Sequence, residues 1–184
     1  MALTPSNMLP LGTVAPDFTL LDTVSGLQLN LQDIVGAKAT VIMFSCNHCP
    51  YVLHLNDEIV RIANDYEKQG VGFVAISSND ITGVPEDAPD KMKELATEVG
   101  YSFPYLYDES QAVAKAYDAA CTPDFYIFDE NLYLVYRGRL DNSRPNSGIP
   151  LSGKDLRGAL DAILAKKAVS VVQFPSMGCN IKWK

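Results

Sequence analysis

The sequence holds only four cysteines, two histidines and one tryptophan, and it is short of positive charge, with 15 Lys and Arg against 22 Asp and Glu. Each scarcity excludes something. The formal net charge of −7 speaks against nucleic acid or an anionic membrane as a partner, because neutralising phosphates takes clustered Lys and Arg. No apolar run comes near the ~20 residues that a membrane-spanning helix needs. The opening MALTPSNMLPLGTVAPDF has neither a basic n-region nor a continuous apolar stretch, so no secretory signal is expected there and the cytoplasm is the expected compartment. Cysteines at 46, 49, 121 and 179 are too few and too unevenly spaced for a disulfide scaffold. In a reducing compartment the close pair Cys46/Cys49 is expected to be catalytic or metal-binding rather than structural. A zinc ribbon needs a second close pair, and Cys121 and Cys179 stand far apart.

A chain of 184 residues with 47% hydrophobic and 20% charged content is expected to form one globular domain over residues 1–184, burying roughly 70% of its unfolded surface. No internal repeat or low-complexity block is visible. DFTLL and LQLNL flank VSG and read as a short hairpin, followed by a turn of helix. ATVIMF (39–44), rich in β-branched residues, suits a strand buried on both faces. From Pro50 to Gln69 the apolar residues Val52, Leu55, Ile59, Ile62, Ala63 and Tyr66 recur at helical spacing, and Gly70 supplies the stop. VGFVAIS (71–77) reads as a second buried strand, and the intervening length makes this a βαβ unit with parallel strands. NDITGVPEDAPD reads as a loop, Lys91–Val99 as a helix ended by Gly100, and QAVAKAY as a short helix after YSFPYLYDES. FYIFD and LYLVYRG read as a strand pair, and Lys154–Lys166 as a last helix with Ser152 as its N-cap. The remaining residues, about 167–184, show no helical period and read as a C-terminal tail packing on the domain. The sum is an α/β sandwich with a parallel half and an antiparallel half.

The chemistry concentrates in FSCNHCPYV (44–52), at the junction of the first buried strand and the long helix. Proline is favoured at the first helical position, so Pro50 puts Cys49 at or next to the N-cap. Its sulfur then faces unsatisfied backbone N–H groups and the positive end of the helix dipole, which favour thiolate, and His48 can add a positive charge. A fall in pKa from about 8.5 to roughly 6.5 raises the thiolate fraction at pH 7 about 25-fold but lowers intrinsic nucleophilicity about tenfold. The net gain in attack is only about two- to threefold, so the low pKa chiefly makes the sulfur a good leaving group. A Cys-x-x-Cys pair alone is weak evidence; between a buried strand and a Pro-started helix of a βαβ unit it is a strong redox signal. His54 reads as a helix-face residue.

On these residues the chain resembles the thioredoxin-like superfamily, specifically its alkyl hydroperoxide reductase/thiol-specific antioxidant branch, and a group of bacterial peroxiredoxin-like proteins of the thioredoxin family. The resemblance runs through APDFTLLD, VIMFSCNHCPYV, VGFVAISSND, CTPDFYIFD and the ending GCNIKWK, and so covers nearly the whole chain. It implies a thioredoxin-like α/β fold, with a central mixed sheet flanked by helices, an N-terminal β-hairpin extension and a C-terminal tail. It also implies disulfide or peroxide chemistry without a bound cofactor. The substrate would be a protein disulfide or a peroxide, with a thioredoxin- or glutathione-type thiol as reductant. The family's cis-proline falls on Pro123, with Thr122 before it, where backbone can pair with a substrate strand.

The departures matter as much. Peroxiredoxins carry P-x-x-x-[TS]-x-x-C before the attacking cysteine; counted back from Cys49 those positions are Ile42 and Cys46, and from Cys46 they are Ala39 and Met43. The orienting hydroxyl is missing in either register. The tryptophan that precedes the thioredoxin pair is Ser45 here, and ATVIMF supplies no buried acid. In thioredoxin-type enzymes the first cysteine attacks, which would be Cys46; local helix logic, and an aromatic five positions earlier (Phe44), favour Cys49 with Cys46 resolving. Cys121, two residues before Pro123, is expected near the pair, and Cys179 lies in a tail that can fold back as a second resolving thiol. Of Arg137, Arg139 and Arg144, none can be assigned to a thiolate.

Three readings follow: a thiol–disulfide oxidoreductase acting through Cys46 and Cys49, a thiol-dependent antioxidant peroxidase, and a Cu(I)- or Zn(II)-binding module drawing on Cys46, Cys49, His48 and Cys121. The first is the leading expectation, with no resident metal.

Overall fold

The stretch ATVIMF can bury both of its faces only in the interior of a sheet, and every one of its residues is buried there. The structure, a computed structural model, describes residues 3–184. Its strands are β1 (Leu3–Pro5), β2 (Thr19–Asp22), β3 (Gln28–Asn30), β4 (Ala39–Phe44) and β5 (Val71–Ser77). They continue with β6 (Tyr105–Tyr107), β7 (Cys121–Thr122), β8 (Asp124–Asp129), β9 (Leu134–Gly138) and β10 (Met177–Asn180). The helices are α1 (Pro50–Tyr66), α2 (Pro89–Val99), α3 (Ala112–Ala116) and α4 (Lys154–Leu164).

Seven strands form the main sheet in the order β3-β2-β6-β5-β4-β8-β9. β4 pairs in parallel with β5, and β5 with β6, whereas β8 runs antiparallel to β4 on its other side. The crossover from β4 to β5 is α1, as the sequence predicts. Because side chains alternate across a strand, Val41 and Met43 of β4 pack with Leu55, Ile59 and Ile62 of α1 and Leu160 of α4. Ile42 and Phe44 point the other way, to Leu20, Leu31, Val113, Tyr117 and Tyr126. The sheet is thus covered on both faces, and the loop after β4 is fixed from above and below.

The N-terminal hairpin forms with Leu20 opposite Leu29, and it extends the main sheet by pairing with β6. Strand β6 itself lies in YSFPYLYDES, where three strand residues follow a proline too closely for any period to show. The long helix gives way to a 3-10 turn over Glu67–Gln69, and Gly70 closes it at φ 91, a left-handed conformation that glycine adopts without a Cβ clash. α2 begins two residues earlier than its apolar pattern suggests, with Pro89 at its first position. A second, three-stranded sheet, β1-β10-β7, lies apart from the first and is antiparallel throughout.

Ser152 is not the N-cap of α4; Gly153 takes that position, and its side-chain-free start is served by Asp141. Asp141 accepts 2.7 Å hydrogen bonds from the N–H groups of Ser143, Ser152 and Gly153. Burial pushes the Asp141 carboxyl up, but these backbone donors outweigh it and hold it below its ordinary value of 3.8. Asp141→Ala is expected to leave those donors unpaired and cost about 2 kcal/mol of stability, read from the denaturant midpoint. A depressed carboxyl stabilises above its unfolded pKa and stops doing so as pH falls. The gap between wild type and variant should therefore close below the ordinary carboxylate range near 3.8.

Candidate active site

Ser45 ends the β4 ladder, its N–H donating to the Ile76 carbonyl at 2.9 Å. Cys46 follows in the loop, and Cys49 is the N-cap of α1 (φ −74, ψ 120) with Pro50 behind it, where the sequence puts it. All four cysteines are free and buried, and neither Cys46 nor Cys49 has exposed surface (0% each).

Three segments meet at the Cys49 sulfur. Its Sγ lies 2.8 Å from Cys179 Sγ, on β10, and 3.3 Å from the carbonyl oxygen of Thr122, on β7. Cys46 packs with it in one buried cluster. The Thr122 hydroxyl lies 3.2 Å from Cys46 Sγ, not on Cys49. The Thr122–Pro123 peptide bond is cis. Cys121 turns away: its sulfur faces the Pro123 carbonyl at 3.9 Å, outside the cluster that joins Cys46, Cys49, Val52 and Cys179.

These contacts separate the acidities. The hydrogen bond from Cys46 brings Cys49 down; burial opposes it, and the Cys179 thiol and the N–H groups of Val52 and Cys179 add to it, leaving Cys49 at about 5. No capping bond of ordinary geometry reaches the sulfur, so the helix acts on it through the field of its first N–H groups. Cys46 moves far up, through its bond to Cys49, its burial and the charge of Asp87. Burial, with the bond to Cys49 and its charge, pushes Cys179 up to about 12. Burial raises Cys121 too, with Asp124 adding to it.

A carboxylate does stand beside the pair, but it comes from a part of the chain that reads only as loop. Asp87, fully buried, accepts from His48 Nδ1 at 2.8 Å, from Asn79 Nδ2 at 2.7 Å and from the Asn47 N–H at 2.7 Å. Asn47 also donates to the Glu86 carbonyl and accepts from the Tyr105 hydroxyl. The two residues between the cysteines are thereby clamped to the 3-10 turn Pro85–Asp87. Hydrogen bonding to Asp87 raises His48 against the effect of burial. Burial works to raise Asp87, but its three donors prevail and lower it. No spacing in the sequence pointed to Asp87 or Asn79, since loop residues that converge only in three dimensions leave no period to read. His54 stands apart, its Nε2 2.8 Å from Ser143 Oγ.

Residues 11–137 match the AhpC/TSA family. The chain belongs to that family. An uncharacterized conserved protein from Geobacillus kaustophilus is 59% identical, with a TM-score of 0.98 over 100% of this chain and 97% of that one. The thiol-disulfide oxidoreductase ResA from Geobacillus kaustophilus (strain HTA426) is 28% identical over 130 residues, 70% of this chain and 68% of that protein. A secreted disulfide oxidoreductase from Mycobacterium tuberculosis shares the fold at a TM-score of 0.61 and 18% identity, covering 79% of this chain and 95% of its own. The fold is therefore thioredoxin-like, and membership of AhpC/TSA is consistent with oxidoreductase activity.

Within the AhpC/TSA frame two of the three arginines are committed elsewhere. Arg137 donates to the Leu9 carbonyl and Gln173, and Arg139 pairs with Asp155 at 2.7 Å. Arg144, exposed, borders a narrow crevice with Tyr51, Pro123 and Met177. For a metal, the ligand atoms of Cys46, His48 and Asp87 lie within 4.8 Å of one another. Asp87 stands there in place of Cys49 and Cys121, and its oxygens already serve three donors that an ion would displace.

Asp87→Asn is expected to lower the His48 pKa toward its ordinary 6.5, as followed by the ring-proton shifts in an NMR titration. In the wild type, His48 stabilises the fold fully below 6.5 and ceases to as pH rises through its raised value. Asp87 contributes above 3.8 and is lost as pH falls through its lowered value. A His48 pKa that stays put in the variant would break the assignment of the pair.

Proposed function

We propose that this protein is a thiol–disulfide oxidoreductase in which Cys49 attacks and Cys46 resolves. The observation that carries the reading is the placement of the pair: Cys49 stands at the N-cap of α1 with the Cys179 thiol 2.8 Å from its sulfur, surroundings that bring Cys49 down while Cys46 is pushed far up. Such a pair holds one thiolate and one thiol at neutral pH, which is what exchange in two steps requires.

Cys49 thiolate attacks one sulfur of a partner's disulfide, that S–S bond breaks, and the partner's other sulfur leaves as thiolate. Cys46 then loses its proton and attacks Cys49 Sγ, expelling the first partner sulfur and closing the Cys46–Cys49 disulfide. Two electrons pass to the partner, which ends as two thiols. Once Cys49 is neutral in the mixed disulfide, the negative charge that held Cys46 up is gone, and Asp87 with His48, within 4.8 Å of its sulfur, takes its proton. The loop carboxylate takes the place of the acid that β4 lacks. At a pKa of about 5 the thiolate fraction at pH 7 rises about 30-fold over an ordinary cysteine while nucleophilicity falls about 40-fold. The gain lies in leaving-group ability and in a stabilised reduced form, not in attack.

The compartment in this proposal is the cytoplasm, where a thioredoxin- or glutathione-type thiol would return the pair to the reduced state. Among the described residues no helix is long and apolar enough to cross a membrane. Peroxidase activity draws support from the family but lacks two parts of the machinery: the Thr122 hydroxyl faces Cys46, and Arg137 and Arg139 are engaged elsewhere. Binding of Cu(I) or Zn(II) competes for the same Cys46, His48 and Asp87, already joined by hydrogen bonds.

Reduction of insulin disulfides is expected to require Cys49, and Cys46→Ser should accumulate a mixed disulfide on Cys49 that wild type does not. Iodoacetamide labelling of Cys49 should stay level from pH 8 to 6 and drop only near pH 5, matching its lowered acidity. If Cys49→Ser kept full reductase activity, the order of attack given above would be wrong. Hydrogen peroxide should consume the thiols at the rate of an ordinary thiolate; a rate constant orders of magnitude higher would hand the site to the peroxidase reading.

A further inference from the structure

β10 is seated where a partner would be expected. It pairs antiparallel with β7, Cys179 opposite Thr122 and Asn180 opposite Cys121, and its other edge is taken by β1. On one side Ser176 donates to the Pro123 carbonyl and exchanges hydrogen bonds with Ser6. On the other, the Lys182 N–H donates to Asn79 Oδ1 at 2.8 Å, and its carbonyl accepts from Asp80 N–H and Gln111 Nε2. Between these anchors the strand passes so close to β7 that a Cβ on Gly178 would stand 1.9 Å from the Thr122 carbonyl oxygen and 3.1 Å from Pro123 Cδ. The next residue, Cys179, turns its thiol to Cys49.

We propose that β10 is a built-in occupant of the substrate edge, and that Cys179 closes a disulfide with Cys49 that seals the site in the oxidised chain. The inference rests on the reading of Cys49 as an exchanging thiolate. With a small disulfide R–S–S–R such as oxidised glutathione, β10 lifts, Cys49 attacks one sulfur, the S–S bond breaks, and RS⁻ leaves and takes a proton from water. When β10 reseats, Cys179 gives its proton to water and its thiolate attacks Cys49 Sγ, expelling the second RS⁻. Two protein thiols are oxidised, R–S–S–R is reduced to two RSH, and the product is Cys49–Cys179. The sulfurs start 2.8 Å apart and need to close by less than ~1 Å to reach bonding distance. A partner strand bound at β7 keeps β10 away, so Cys46 serves that case and Cys179 the unoccupied one.

The test uses the full chain, reduced, then oxidised with oxidised glutathione, blocked with N-ethylmaleimide and digested with trypsin without reduction. Cys46 and Cys49 share the tryptic peptide 39–61, and Cys179 lies in 168–182. The expected product is a cross-link between those peptides, kept in Cys46→Ser and lost in Cys49→Ser. Cys179 found labelled, with the only disulfide inside 39–61, would overturn the proposal. Gly178→Ala should unseat the strand, cut the cross-link and speed labelling of Cys49 by a bulky maleimide about tenfold or more, as local opening becomes easier. An unchanged labelling rate in that variant would show that β10 is not the cover. A chain that forms the cross-link but reduces no insulin would sink the exchange function and leave the seal standing; active reductase with Cys179 always free would do the reverse.

Discussion

A negative charge on a sulfur with no exposed surface survives only if donors replace the water it has lost. At Cys49 the thiols of Cys46 and Cys179 do so, with the field of the nearby Val52 and Cys179 N–H groups adding to them. They come from a loop, a strand near the end of the chain and the first turn of a helix. The rest of the architecture reads as the means of holding these three within a few ångströms of one sulfur. Burial alone would neutralise the thiol, and the same burial gives each donor its strength, because no water competes with it.

The scaffold explains why the donors stay in place. β4 is central and buried, with β5 on one side and β8 on the other, so the loop that follows it departs from a fixed point. The register that sets Phe44 opposite Asp124 also brings Thr122 and Pro123 alongside the loop. Asp87 holds Asn47 and His48 from the far side. The cysteine pair is thus gripped on both flanks, and its chemistry depends on sheet register as much as on local sequence.

Much of this is legible in the sequence, and the boundary has a physical cause. The β4–α1–β5 unit announces itself because its apolar residues follow periods of two and three to four, and Pro50 fixes the helix start and hence Cys49. The placement of Thr122 and Pro123 came from resemblance, since no local pattern distinguishes that turn. β6, β7 and β10 leave no signal in the sequence: each is two to four residues long, too short for a period, and each forms by pairing with residues distant in the chain. Asp87 is silent in the sequence for a related reason. A loop acid becomes a site residue through contacts some forty positions away, and composition carries no record of them. The N-cap of α4 falls on Gly153 instead of Ser152 because the Asp141 side chain, arriving from elsewhere, serves a helix start that the local sequence leaves to glycine.

The separation of Cys49 from Cys179 by 130 positions also has a temporal side. At roughly 5–20 residues per second a ribosome makes the cysteine pair about 7 to 26 seconds before Cys179. During that interval the nascent domain can build β4, α1 and β5, yet one of the donors that make Cys49 acidic does not exist. Until then Cys49 lacks the contacts that β10 makes with it. The sulfur's full surroundings arrive only when β10 is made and seated, so the reactivity of the site records the docking of that strand.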